Sequence, residues 1–213
     1  MLAPWETSAP LADSAADTMI HERLATIASP GSFFTGAERL DFAAHARAAR
    51  GLTAAASSSL PPVVASAVAR VAAEAMTTRS NDVAAWEADG RDVLAYVELV
   101  AVVSLICSLD SYRVGTGAPL DPLPEPIPGD PTPVVDDRAV TSNSWVPTVG
   151  VALAPTALSA LPDESNAKKP VGQVFYLTDE FVHKYDVEPG RELTRPQMEL
   201  VASRTSWLNE CFF

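Results

Sequence analysis

The sequence predicts an all-α protein. Three observations carry that prediction: helix start and stop signals recur along the chain, apolar residues repeat at helical spacing between them, and strand signals are scarce. From the N-terminus, "ADSAADTMIHERLATIA" reads as the first helix within an Ala-rich stretch. "TGAERLDFAAHARAARG" follows, opened by a capping box of Thr35 and Glu38 and closed on Gly51. "LPPVVASAVARVAAEAM" puts proline at a helix start. "DVAAWEADGRD" gives a further helix, with Gly90 breaking it before the most apolar segment of the chain, Leu94 to Leu109.

Beyond that segment the pattern changes. Seven prolines fall between Pro119 and Pro133, "PLDPLPEPIPGDPTP", which predicts an extended, semi-rigid connector. Residues 134–170 read as loop, with a short helix allowed over "PTALSAL". "LTRPQMELVASRTSWLNECFF" then supplies the second strong helical signal, capped by Thr194 and Gln197.

Composition restricts the partners. The 213 residues suffice for a core without staples, and the net charge of −12 argues against nucleic acid and anionic membrane, both of which need Lys/Arg patches. Leu94–Leu109 spans 16 residues and carries Glu98, which is short for a bilayer crossing and predicts a buried helix. No basic, then apolar, leader opens the chain. Two cysteines, Cys107 and Cys211, make no disulfide framework, so a reducing cytoplasm is the expected location. Neither a metal-ligand cluster nor a nucleotide fingerprint is present, and no cofactor is expected.

Comparison of the chain with itself aligns "VELVAVVSLICSLDSY" (Val97–Tyr112) with "MELVASRTSWLNECFF" (Met198–Phe213). An identical "ELVA" stands in both at an offset of 101, which matches Glu98 with Glu199 and Asp110 with Cys211. The match suggests two related helical modules. It is short, and Ala/Val-rich helices also resemble one another by chance.

The last twenty residues carry a more specific pattern. A helix opening "LTRPQMELVASRTSWLNEC", with Glu199 twelve residues before Cys211, resembles the AhpD-like alkylhydroperoxidase family, also called carboxymuconolactone decarboxylase-like. In that family the motif continues as Cys-x-x-Cys, with a His four residues after the second cysteine. The "TGAER" helix, the Glu98 helix, the Pro-rich connector and the "WVP" stretch (Trp145 to Pro147) resemble the two-module subgroup of alkylhydroperoxidase-related (seleno)proteins, where the second redox position can be selenocysteine. The resemblance implies an AhpD-like bundle of two degenerate modules. These are an N-terminal one over 1–117 with no redox pair, a linker over 118–147, and an incomplete C-terminal one over 148–213. It further implies that the chain stops just short of the selenocysteine position.

The chemistry implied is peroxide reduction. A thiolate or selenolate attacks one peroxide oxygen and becomes a sulfenic or selenenic acid. A resolving thiol three residues away closes a disulfide or selenenylsulfide, and an external reductant reopens it. Cys211 would be the partner thiol, and Glu199, with the family's His, the proton relay. The implied partners are a hydroperoxide substrate and a thiol reductant or reductase protein, in a homo-oligomer. The 213-residue form is expected to have little peroxidase activity, because it lacks the attacking atom and the His.

Each site residue also has a plainer reading. Glu199 is a first-turn carboxylate favoured by the helix dipole. Glu98 interrupts an apolar run, so it is either a carboxyl with a raised pKa suited to acid/base work, or half of an ion pair with Arg91, Arg113 or a subunit partner. Cys107 is a small core residue. The first module has Asp110 and Arg113 where a redox pair would fall, and none of His21, His45 and His183 occupies the motif position. Two further functions follow from these readings: a non-redox, decarboxylase-type enzyme using Glu98 and Glu199 as proton shuttles, and a non-enzymatic helical module for assembly or binding.

Overall fold

A computed structural model of the chain describes residues 13–56, 60–182, 184, 186, 188, 190 and 192–208, and these form helices joined by turns and extended segments. In chain order they are α1 (Ser14–Ala28), α2 (Gly36–Ala49), α3 (Pro62–Ala73), α4 (Ser80–Ala88), α5 (Val93–Thr116), α6 (Pro162–Phe175), α7 (Asp179–Val182) and α8 (Arg195–Leu208). No strand occurs among the described residues. The nearest approach to one is an isolated antiparallel bridge between Val140 and Thr148.

Local chemistry sets the helix ends. Asp13 caps α1 by accepting from the N–H groups of Ala15 and Ala16. At α2 the expected capping box is complete: Thr35 Oγ1 accepts from Glu38 N–H, while the Glu38 carboxylate accepts from Thr35 N–H at 2.8 Å. Gly90 ends the α4 turn with φ +79°, and Gly117 caps α5 in the left-handed conformation, φ +72°. Thr194 opens α8, its N–H donating to Gln197 Oε1 at 2.8 Å.

The core is built around α5, which packs against α1, α2, α3, α4 and α6. It is apolar on every side, and Leu99, Val102, Val103 and Ile106 are fully buried. Each such side chain contributes about 1.5–3 kcal/mol through the area it removes from water. At 24 residues α5 is longer than the 16-residue apolar run suggests, and it is the one described helix long and apolar enough to cross a membrane. Here 67% of its most apolar window is enclosed by the other helices, and the charged residues on it are buried in ion pairs.

Helix α6 departs from the sequence expectation, since its first nine residues lie in the stretch over 134–170 that reads as loop. Pro162 at its first turn fits a helix start, but Pro170 sits inside the helix and Lys168–Lys169 precede it, so the local signal is poor. Tertiary packing overrides that signal. Val171, Val174 and Phe175 join the core, and the Phe175 ring stacks on Tyr112 of α5 with centroids 4.5 Å apart. The "PTALSAL" segment makes only a 3-10 turn, Ala154–Thr156.

The Pro-rich segment is extended, as expected, and is held against the α1–α2 corner. Ile127 N–H donates to Ala28 O at 2.8 Å, Thr132 N–H to Gly31 O at 3.0 Å, and Val134 N–H to Ser32 Oγ at 3.2 Å. Gly36 permits the close passage of α1 and α2: a Cβ there would lie 2.0 Å from Ala28 O.

Candidate functional site

Glu98 lies at the centre of the bundle, wholly buried, and its partner is Arg39 of α2. Arg39 Nη1 donates to Glu98 Oε1 at 2.6 Å and to Glu164 Oε1 of α6 at 2.5 Å. Arg39 Nη2 donates to Glu164 Oε2 (3.3 Å) and to Thr26 O (3.5 Å), and Nε to Ile27 O (3.4 Å). All five guanidinium N–H bonds thus have acceptors. The second Glu98 oxygen accepts from Phe33 N–H at 2.6 Å.

The cluster holds one cation and two carboxyls. Burial pushes the Glu98 carboxyl above its ordinary pKa. Arg39 and the Phe33 N–H favour the ionised form, Glu164 opposes it, and the balance stays raised. Gly31 closes the cluster from above, where a Cβ would fall 2.0 Å from Glu98 Oε1 and 2.1 Å from Arg39 Nη1. A polar cavity of about 310 Å3 adjoins it, lined by Arg39, Glu164, Asp130, Asp163, Thr26 and Thr132 among others. Glu98 itself stays behind Arg39 and does not line that cavity.

Of the ion-pair partners considered for Glu98, neither Arg91 nor Arg113 is the one found. Arg91 pairs with Asp89, and Arg113 with Asp17 and Asp121. On α2, Arg39, Phe42, Ala43 and Ala46 form a buried stripe at helical spacing with the cation inside it. One further rung joins the same helices: Arg47 Nε and Nη2 donate to the two oxygens of Asp110 at 2.9 and 2.8 Å. Asp110, which the ELVA match sets against Cys211, is half of a buried bidentate pair.

Glu199 sits on α8 in a different cluster and shares no partner with Glu98. Its Oε1 accepts from Tyr176 O–H at 2.5 Å and from Arg195 Nε at 2.6 Å. The Tyr176 hydrogen bond, aided by Arg195 and opposed by slight desolvation, holds the Glu199 carboxyl below its ordinary pKa. Arg195 is buried and anchored in turn: Nη1 donates to Phe181 O at 2.8 Å and its backbone N–H to Glu188 Oε2 at 2.9 Å. Sequence reasoning missed Tyr176 and Arg195, although Arg195 stands four residues before Glu199 on one helix face.

Cys211 and His183 lie outside the described residues. Cys107 is a free thiol, half-buried against the core, and burial raises its pKa. His21 is exposed near Asp121, and His45 is half-buried on α2. Among the described residues no group of three or more His, Cys, Asp and Glu is placed to hold a metal ion. No protein-family model matches the sequence, and neither a curated protein nor a solved structure shows significant similarity to it.

Proposed function

We propose that the chain belongs to a hydroperoxide-reducing enzyme of the AhpD-like kind, in which Cys211 is one member of a redox pair and Glu199 is the base. The supporting observation is the Tyr176–Glu199–Arg195 cluster. It holds the Glu199 carboxylate between the Tyr176 hydroxyl and the Arg195 guanidinium, in line for proton relay, on the helix whose sequence leads to Cys211. In the reaction, a thiolate or selenolate three positions after Cys211 attacks a peroxide oxygen and the O–O bond breaks. The alkoxide takes a proton and leaves as the alcohol. The Cys211 thiol then displaces water to form the disulfide or selenenylsulfide, and an external dithiol reduces it.

The proposal carries a geometric requirement. Helix α8 runs on to Leu208, about 13 Å along its axis from Glu199 at 1.5 Å per residue. Cys211 therefore reaches Glu199 only if the chain turns back after Leu208.

A second reading rests on Glu98, whose raised pKa beside Arg39 and Glu164 suits a proton shuttle in non-redox chemistry. One experiment separates the two. Protein expressed from the gene read through the position three residues after Cys211 is assayed with tert-butyl hydroperoxide and dithiothreitol. We expect turnover that Cys211→Ser abolishes, Glu199→Gln lowers at least about tenfold and Glu98→Gln leaves within about twofold. Turnover that survives Cys211→Ser, or no turnover at all, overturns the redox reading. Peroxide turnover lost in a folded Glu98→Gln variant would put Glu98 in the redox reaction, and its absence from every variant leaves the second reading standing.

A further inference from the structure

Helix α6 is anchored to the bundle by one narrow face. Its buried residues are Glu164, Ala167 and Val171, spaced i, i+3 and i+7. Val174 and Phe175 pack half-buried beside them, and Arg23 Nη1 reaches from α1 to Ala167 O at 3.3 Å. Pro170 sits inside the helix with no N–H to donate, so α6 relies on docking more than on its own helicity. One of its three buried anchors is therefore a carboxylate, and that carboxylate is held by Arg39.

The anchor is shared. Arg39 Nη1 donates both to Glu164 Oε1 and to Glu98 Oε1, so α6 and α5 compete for one cation in a dry site. Helices α2 and α5 do not depend on that contact, because Arg47 and Asp110 join them a second time. The charged side chains acting on Glu98 are Arg39 of α2 and Glu164 of α6. The turn between α1 and α2 offers it the Phe33 N–H and Gly31, which has no side chain. Asp130 and Asp163 line the polar cavity beyond Arg39.

We propose that Arg39 and Glu98 form a proton-dependent clasp on α6: with Glu98 protonated, Arg39 serves Glu164 and α6 is locked, and with Glu98 ionised, α6 releases locally while the rest of the bundle stays folded. The sign follows from the two environments of Glu98. In the docked form, burial and Glu164 raise its pKa. When α6 leaves, Glu98 loses the Glu164 repulsion, gains water and keeps Arg39, so it titrates lower. The docked form then binds the proton more tightly, and release grows as pH rises from the open-form pKa to the docked one, levelling off above it. Release opens the polar cavity, which loses Asp163 and Glu164 from its wall. The clasp uses neither Glu199 nor Cys211, so it stands or falls apart from the redox proposal.

The test is backbone hydrogen exchange of the 213-residue chain from pH 5 to 8, expressed as protection factors so that the intrinsic pH dependence of exchange is removed. Amides of residues 166–175 should lose at least about fivefold in protection across that range. Helix α3, which packs on α2, α4 and α5 away from the cluster, should stay better protected than α6 throughout. Glu98→Gln should flatten the α6 profile. Should that variant fail to fold, Glu164→Gln serves in its place and should shrink the slope. Asp163→Asn, beside the anchor but outside the Arg39 contacts, should keep the wild-type slope. A flat wild-type profile, α6 protection that tracks α3 in size and slope, or a slope that survives Glu98→Gln would overturn the proposal.

Discussion

Arg39 and Glu98 meet at 2.6 Å in the middle of the bundle, 59 residues apart in sequence, with Glu164 on the same guanidinium nitrogen. Two carboxyls on one cation leave one negative charge in excess when both are ionised. Glu98, the more enclosed, has its pKa raised. The native state therefore holds its proton more tightly than the unfolded chain, whose carboxyl titrates near 4.5. Above the folded pKa the ionised Glu98 subtracts from stability, and as pH falls through that pKa toward 4.5 the penalty is relieved. The expected result is a wild-type stability that rises over this window relative to Glu98→Gln, read as the difference in urea midpoints across pH 4.5–8. A flat difference would show that Glu98 is ionised throughout.

Gly31 is expected to tolerate no side chain. The Cβ of alanine would meet Glu98 Oε1 and Arg39 Nη1 at about 2 Å, and both atoms are fixed by their own bonds. Gly31→Ala should cost about 1–3 kcal/mol in urea denaturation by overpacking a closed site. A loss under about 0.5 kcal/mol, the scale of a neutral surface change, would mean that the cluster can shift.

The Arg47–Asp110 rung should behave as a buried pair whose halves are worth little apart. Arg47→Met should destabilise by about 3–5 kcal/mol, because it strands a buried carboxylate. The double variant Arg47→Met/Asp110→Leu should recover most of that loss. Additive losses in the double-mutant cycle would show that the two side chains do not interact.

Tyr176→Phe removes the strongest influence on Glu199, so the Glu199 carboxyl should titrate closer to its ordinary value. Its folded pKa is depressed in the wild type. It therefore adds stability above the unfolded pKa and loses it as pH falls through the folded one. Carboxyl-carbon NMR titration of both proteins checks the shift; an unchanged Glu199 titration would remove Tyr176 from any relay.

How much of this was readable from the chain divides by range. Helices α1 to α5 and α8 were legible because their signals are local: the Thr35/Glu38 box, Pro at the α3 start, Gly90, and the Thr194/Gln197 pair. α6 was not, because its helicity is imposed by α1 and α5 against the presence of Pro170. That Glu98 needed a partner was legible from its apolar run. Which partner it took was not, since fifteen Lys and Arg residues were available and only folding brings α2 beside α5.

The span between Arg39 and Glu164 has a consequence for the order in which the protein is made. At about 5–20 residues per second, 125 residues take about 6–25 seconds to emerge from a ribosome. Glu98 follows Arg39 by 59 residues, so for the remaining 66 residues, about 3–13 seconds, the nascent bundle can hold Arg39 against Glu98 alone, a neutral pair without the excess charge. Arrival of α6 then places a second carboxyl on a cation already neutralised, and seals the α1–α2–α5 seam last. Vectorial synthesis thus presents the central charge in its balanced form first and adds the frustrated one only when the apolar face of α6 is there to offset it.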